Sequence, residues 1–290
     1  MRIQDWIRKN CRSLSGRTVL LSGSTGGIGR ELARHIASLG GSLILLDRNY
    51  SRSCRFADEL RGEYSNIKVE CLTADMSEMK SVVSVTDQLM LREIDYVILN
   101  AGAYSIPRCI TDSGYGNVFQ INFVSPFYIT KKLLPMIRAR GGRIVAVGSI
   151  AHNYSRIDES DIDYQRRKKA SLVYGNAKRY LTYSLMDLSD GDVIIAHPGI
   201  SFTGITNHYH PVIFALIKHP MKIIFMKPKR ASLSILYALF ADVKVGEWIG
   251  PRFFDVWGLP SIKALKTADT RERAKIVEIA EEIYNKTNIK

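Results

Sequence analysis

Cysteine is scarce in this chain: Cys11, Cys54, Cys71 and Cys109 are the four present, and no two stand at CxxC spacing or beside a histidine cluster. That excludes a zinc ribbon or a disulfide framework and points to a reducing compartment, expected to be the cytoplasm. No apolar run reaches the roughly 18 residues that a spanning helix needs. The opening MRIQDWIRKNCRSL lacks the apolar stretch and small-residue cleavage site of a secretory signal. Proline is limited to 9 of 290 residues, with no Pro- or Ser-rich linker and no internal repeat, so low-complexity and solenoid architectures are excluded. Acidic side chains are also short, 28 against 41 Lys and Arg, leaving a net charge of +13. The surplus favours anionic partners in general: phosphorylated cofactors, anionic lipid or nucleic acid. No helix-turn-helix, zinc-finger or RRM-type pattern accompanies it, so nucleic acid is not an expected partner.

What the chain does have is a regular alternation. Short apolar runs at Arg17–Ser22, Ser42–Asp47, Ile67–Thr73, Ile94–Asn100, Arg143–Ser149 and Asp192–His197 alternate with helix-period segments near 27–39, 51–62, 77–91, 114–140 and 170–189. Near-continuous apolar strands between helices predict βαβ units and a parallel sheet covered on both faces. The expected fold is α/β, a Rossmann-type doubly wound sheet of about seven strands with helices on both faces, forming a single domain over 16–290 after an N-terminal extension at 1–15. The seventh strand is placed near 247–257 and a final helix near 268–286.

The first strand runs into Ser22-Gly23-Ser24-Thr25-Gly26-Gly27-Ile28-Gly29, and the helix that follows carries Leu32, Ile36 and Leu39 on one side. Bare glycines there let backbone N–H groups and a helix N-terminus reach a pyrophosphate; a ligand-free βα turn would read the same in isolation. Asp47 ends the second strand, where a carboxylate accepts from an adenosine ribose and repels a 2′-phosphate, while the adjacent Arg48 would pair with that phosphate. The two argue in opposite directions, and the reading favours NAD over NADP.

Tyr174 and Lys178 stand four apart on one face of a predicted helix. A lysine cation within several Å stabilises phenolate, lowers the phenol's ordinary pKa near 10, and makes Tyr174 a proton carrier. A YxxxK pair alone is more often a surface pair. Here Ser149 ends the fifth apolar run at the carboxyl edge where parallel sheets bind ligands, and Asn100-Ala101-Gly102 and Asp75 end two others.

Taken together, the glycine loop, Ala74-Asp75-Met76, Asn100-Ala101-Gly102, Asn122, Ser149, Tyr174/Lys178 and His197-Pro198-Gly199 with Thr203 resemble the short-chain dehydrogenase/reductase family over roughly residues 15 to 260. The resemblance implies that Gly23, Ser24, Thr25, Gly27, Ile28 and Gly29 cradle the dinucleotide phosphates. Asp75 with Met76 would contact the adenine, and Asn100, Ala101 and Gly102 would support its adenosine side. Ser149, Tyr174 and Lys178 would be catalytic, Lys178 also binding the nicotinamide ribose. Asn122 would hold a water linking Lys178 to solvent, and Pro198, Gly199 and Thr203 would grip the carboxamide.

The spacing of 25 residues from Ser149 to Tyr174, with the GRIVAVGSIAH and HPGISFTGIT wording, looks like the retinol-dehydrogenase-like and hydroxysteroid branches. Gly148 and Asp47 depart from them, where relatives carry a second serine and a small residue before an NADP-binding arginine. The resemblance implies hydride transfer between NAD or NADP and an alcohol or ketone, and a homodimer or homotetramer. A basic apolar stretch, 203–230, is expected to be a substrate lid, which suggests an apolar substrate. This stretch and the amphipathic N-terminus are also candidates for peripheral contact with an anionic membrane, although Trp6 favours packing on the domain. The rival readings are a redox-silent NAD(P)-binding regulator of the same fold and a nucleotide-sugar epimerase or dehydratase. The intact Ser149/Tyr174/Lys178 set weighs against the first, and the lack of a large substrate domain against the second.

Overall fold

A computed structural model describes residues 2–200, 226–265 and 269–288. The strands are β1 (Thr18–Ser22), β2 (Ser42–Asp47), β3 (Val69–Thr73), β4 (Tyr96–Leu99), β5 (Arg143–Val147), β6 (Val193–Ala196), β7 (Glu247–Phe253) and β8 (Trp257–Ala264). They form one sheet in the order β3-β2-β1-β4-β5-β6-β7-β8. The first seven are parallel, and β8 returns antiparallel on β7. The chain builds outwards from β1 to β2 and β3, then crosses back to place β4 on the other side of β1, and this reversal opens a crevice over the carboxyl ends.

Alternate residues of each strand serve opposite layers. Leu20, Ile44, Val97, Ile144 and Ile195 face one core, while Val19, Leu43, Ile98, Val145 and Ile194 face the other. That two-sided burial is why the strands read as unbroken apolar runs. The first layer is covered by α4 (Met79–Met90), α6 (Ser125–Ala139), α7 (Ala170–Leu188) and α9 (Thr270–Asn288), and the second by α1 (Ile3–Asn10), α2 (Gly27–Ser38), α3 (Tyr50–Glu63) and α8 (Pro228–Tyr237). Helix α1 buries Trp6 and Ile7, with Trp6 edge-on to Tyr237 at 5.5 Å. The N-terminal segment is thus packed on the sheet layer rather than laid out as a free amphipathic surface.

The sheet differs from the expected seven strands by its eighth. The run expected near 247–257 folds back on itself: Phe254 and Asp255 adopt positive φ, and Pro251 faces Pro260 across the hairpin. Gly258 and Pro260 read as breakers in sequence, but a proline is tolerated on an edge strand because its missing N–H faces outwards. The predicted helix 114–140 is also interrupted. A short α5 (Asn117–Phe119) leads into a π-helical turn over Gln120–Val124 before α6 starts. The lid expected over 203–230 lies mostly outside the described residues; by Met226 the chain is anchored, its N–H donating to Ile200 O at 2.8 Å, and α8 starts two residues later.

Candidate active site

Ser22 ends β1 and Gly23 turns the chain at φ +67. A Cβ placed on Gly29 would lie 2.1 Å from Gly23 O, so only glycine allows α2 to begin against this turn. No side chain caps the first turn of α2, leaving its N–H groups directed at the crevice. The loop is braced from β4: Asn100 Nδ2 donates to Ser22 O and Gly23 O, both at 3.0 Å, and the N–H groups of Asn100 and Ala101 both donate to Ser22 Oγ at 3.0 Å. An uncapped helix start with a glycine floor fits a dinucleotide pyrophosphate.

Asp47 is turned inwards. Its Oδ2 accepts from Ser24 Oγ at 2.5 Å and Ser53 Oγ at 3.0 Å, and its Oδ1 from Thr25 N at 3.1 Å and Thr25 Oγ1 at 3.0 Å. The residue is 5% exposed. The ribose contact expected of it would have to share these oxygens, because both already accept hydrogen bonds from the glycine loop and Ser53. Ser24 and Thr25, expected to touch cofactor, serve Asp47 with their hydroxyls. Arg48 instead stands out from the strand end, its side chain 77% exposed and 3.8 Å from Asp75. Asp75 Oδ1 accepts from Ser77 N at 2.8 Å, fixing the turn after β3, and Met76 is buried.

On the far side of the crevice, Ser149 follows β5 and opens a 3₁₀ turn at Ile150–Asn153, its Oγ accepting from Ala151 N at 3.2 Å. Helix α7 approaches that turn so closely that a Cβ on Gly175 would meet Ala151 O at 2.5 Å. The approach brings the neighbouring Tyr174 phenol beside Ser149, close enough for the serine hydroxyl to favour its ionised form. Lys178, one turn on, is buried with Nζ donating to Val147 O at 2.8 Å and lying 5.7 Å from the Tyr174 ring centre. Asn122 sits in the π-turn, where the ladder is locally broken. Its side chain donates to Ala103 O at 2.8 Å and accepts from Ala103 N at 3.3 Å, pinning the strand end that carries Gly102. Pro198 and Gly199 lie buried after β6, and Thr203 falls outside the described residues.

The electrostatics differ from the expectation that Lys178 lowers Tyr174. Burial pushes the Tyr174 phenol up to about 12 against the lowering effect of the Ser149 hydroxyl, and burial pushes Lys178 down to about 7. A cleft this dry opposes charge on both groups, keeping the Tyr174 phenol neutral and leaving Lys178 shared between ammonium and amine near neutral pH.

Three further groups escaped sequence reading. Tyr104 packs edge-on to Tyr174 at 5.3 Å. The fully buried Arg179, next to Lys178, donates through Nη1 to His152 O at 3.0 Å. Glu272 on α9 holds the rest of that guanidinium. The one available signal was that Arg179 falls on the buried face of a strongly apolar helix.

An uncapped, glycine-floored helix start and a neighbouring Ser–Tyr pair over a buried lysine, all at the carboxyl edge of one doubly wound sheet, define a dinucleotide-dependent oxidoreductase. A family model for the short chain dehydrogenases matches residues 17–160. Human retinol dehydrogenase 13 is 28% identical over 230 residues, 72% of this chain and 70% of that protein. A short chain dehydrogenase of Aspergillus sclerotiorum is 37% identical over 158 residues, and the match spans only 44% of that protein's length. Among solved structures, an uncharacterized protein from Mycobacterium paratuberculosis shares the fold with a TM-score of 0.71 at 22% identity, covering 96% of both chains. The chain matches the short-chain dehydrogenase family over residues 17–160 and is similar to a retinol dehydrogenase over most of its length. It is an NAD(P)-dependent oxidoreductase acting on CH–OH groups.

Proposed function

We propose that the chain interconverts an apolar alcohol and its carbonyl compound, with Tyr174 as proton carrier, Ser149 as the hydroxyl that holds the substrate oxygen, and Lys178 as the ammonium beneath them. The observation that carries this reading is the closeness of Tyr174 to Ser149 at the carboxyl edge, where the serine hydroxyl opposes the rise of the phenol pKa, with Lys178 buried one helical turn away. When bound, the nicotinamide supplies the hydride donor or acceptor. Ser149 Oγ orients the substrate oxygen towards the Tyr174 hydroxyl, which gives or takes the proton at that oxygen. Lys178 would hydrogen-bond the nicotinamide ribose and, when protonated, supply positive charge near the phenol. Asn122 positions the path by which Lys178 exchanges protons with solvent.

Gly23, Gly27, Ile28 and Gly29 would bind the pyrophosphate, Asp75 and Met76 the adenine, Asn100, Ala101 and Gly102 the adenosine side, and Pro198, Gly199 and Thr203 the carboxamide. Sequence favoured NAD through Asp47. The inward turn of that carboxylate removes the repulsion it would give a 2′-phosphate, and the exposed Arg48 beside it supports NADP instead.

An apolar substrate is supported by the wall beside Tyr174, where Val118, Tyr164 and Val173 cluster with Ile106 and Leu172. The human relative's name, retinol dehydrogenase, points in the same direction. Residues 16–290 would act as one catalytic domain, as a homodimer or homotetramer. The free cysteines favour the cytoplasm. No helix among the described residues is long and apolar enough to cross a membrane. The deciding experiment is a panel of aliphatic, retinoid and steroid alcohols and ketones, followed at the reduced-nicotinamide absorbance with NAD and NADP in parallel. Turnover of apolar substrates that Tyr174→Phe abolishes is expected; turnover confined to small polar alcohols would reject the substrate class.

A further inference from the structure

β7 and β8 join through a turn in which two successive non-glycine residues, Phe254 and Asp255, adopt φ of +53° and +58°. A bulky side chain is disfavoured in that region, and asparagine or glycine is the usual occupant. Phe254 is 92% exposed, Phe253 50% and Trp257 45%. The Phe253 and Trp257 rings lie 5.8 Å apart, so the three aromatics form one tip. The turn holds them in water, where they add nothing to either core.

The tip is ringed by cations. Arg230 lies over the Trp257 ring at 5.4 Å. Lys227 and Lys229 flank the start of α8, and Arg252 precedes the tip; these three are exposed. Ile200 N donates to Val256 O at 3.4 Å and Met226 N to Ile200 O at 2.8 Å, which sets the 226–230 stretch beside the hairpin. The single carboxylate in these two stretches, Asp255, is paired with Lys263 at 2.8 Å. Because β7 runs parallel to β6, the tip projects from the same sheet edge as Ser149.

We propose that the Phe253/Phe254/Trp257 tip, with Lys227, Lys229, Arg230 and Arg252 around it, docks the protein onto an anionic phospholipid bilayer. The rings sit at the headgroup boundary, where aromatic side chains are favoured, and the cations meet lipid phosphates and carboxylates. Each lysine or arginine close to such a surface strengthens binding roughly fivefold. A second copy of the chain is the poorer occupant, because a two-fold contact through this patch would set the same cations against one another. Docking faces the catalytic crevice towards the medium in which an apolar alcohol dissolves. That last consequence rests on the proposed substrate class, whereas the docking does not.

The three tryptophans make the test direct. Trp6 and Trp248 are 5% and 4% exposed, so a change in indole emission on adding lipid reports Trp257. The full chain is titrated with phosphatidylcholine vesicles, with and without phosphatidylserine and with brominated chains, at about 0.1 M and then about 1 M salt. The expected result is a blue shift and bromine quenching with phosphatidylserine, binding at least about tenfold tighter than to phosphatidylcholine alone, and loss at high salt. Phe254→Ser and the pair Lys227→Glu/Arg252→Glu each weaken binding about tenfold or more while dinucleotide binding and circular dichroism are kept. Trp257→Phe loses the optical signal yet still cosediments with vesicles. Unchanged emission with no cosedimentation overturns the proposal. So does a dimer that Phe254→Ser dissolves while vesicles have no effect, since the tip then belongs to a second copy. Either failure leaves turnover in solution, and with it the oxidoreductase reading, untouched.

Discussion

Arg179 and Glu272 join the helix that carries Tyr174 to the C-terminal helix: Nε donates to Oε1 at 2.8 Å and Nη2 to Oε2 at 2.5 Å, with the Arg179 side chain 2% exposed. The third nitrogen donates to His152 O, and His152 Nδ1 is 2.7 Å from Ser149 O. The guanidinium therefore ties α7, α9 and the serine turn into one unit. Burial pushes the Glu272 carboxyl up, but Arg179 and the Ile157 N–H outweigh it and hold the group below its ordinary range.

Removing the charge at Glu272 tests whether this unit positions Ser149. Glu272→Gln leaves Arg179 buried without its counter-ion, a change that costs on the order of 3–5 kcal/mol when a buried pair is broken. Melting temperature falls, and kcat falls with little change in KM for the cofactor, because the glycine loop lies on the other side of the crevice. Glu272→Asp restores part of both. A melting-temperature loss with an unchanged kcat would reduce Glu272 to a purely structural tie.

Tyr174→Phe keeps the ring against Tyr104 and deletes the hydroxyl. Loss of the proton carrier lowers kcat about 10²- to 10⁴-fold. Dinucleotide affinity, read by quenching of protein fluorescence, stays within a few-fold. Equal losses in turnover and in cofactor binding would contradict the assigned role.

Asp47 and Arg48, neighbours in sequence, have separable effects. Arg48→Ala removes one charge-assisted contact to a 2′-phosphate, worth about 1.5–3 kcal/mol, so KM for NADP rises about ten- to a hundredfold while KM for NAD is unchanged. Asp47→Asn cannot accept all four hydrogen bonds, three from the loop and one from Ser53, so binding of both dinucleotides weakens together. A defect of Asp47→Asn confined to NAD would show that the carboxylate faces the ribose after all.

This pair shows where sequence was legible and where it was not. Spacing and residue type placed Asp47 at a strand end and Tyr174 and Lys178 on one helical face, because those follow from the periods of strand and helix. The direction of the Asp47 carboxylate depended on Ser24 and Ser53, contributed by two other segments. Lys178 was correctly placed one turn from Tyr174, but its effect on the phenol depended on burial, which a four-residue spacing does not encode. The parallel strands were readable because both their faces are apolar. β8 was not, since an exposed edge strand with Gly258 and Pro260 carries a turn's composition. Nor does anything in QINFV mark the π-turn at Asn122; it arises where α5 and α6 meet.

A histidine that no catalytic step uses contributes to the acid side of the stability curve. His197 is 3% exposed and stacked on Trp248 at 5.5 Å, and burial pushes it down to about 4, with Asp255 opposing and His152 adding to the shift. His152, edge-on to the same indole at 5.4 Å, is lowered in the same sense. Between the ordinary histidine value of 6.5 and about 4, the unfolded chain binds a proton at His197 and the folded chain does not. Stability therefore falls as pH drops through that window and is unaffected by this group above it. The full shift corresponds to about 3 kcal/mol. His197→Phe, which keeps a flat ring on Trp248, flattens the acid limb of urea midpoints measured from about pH 7 down to about pH 4 and leaves the neutral value within about 1 kcal/mol. The share left to His152 and His35 keeps some slope in the variant, but an acid limb as steep as the parent's would show that His197 does not contribute.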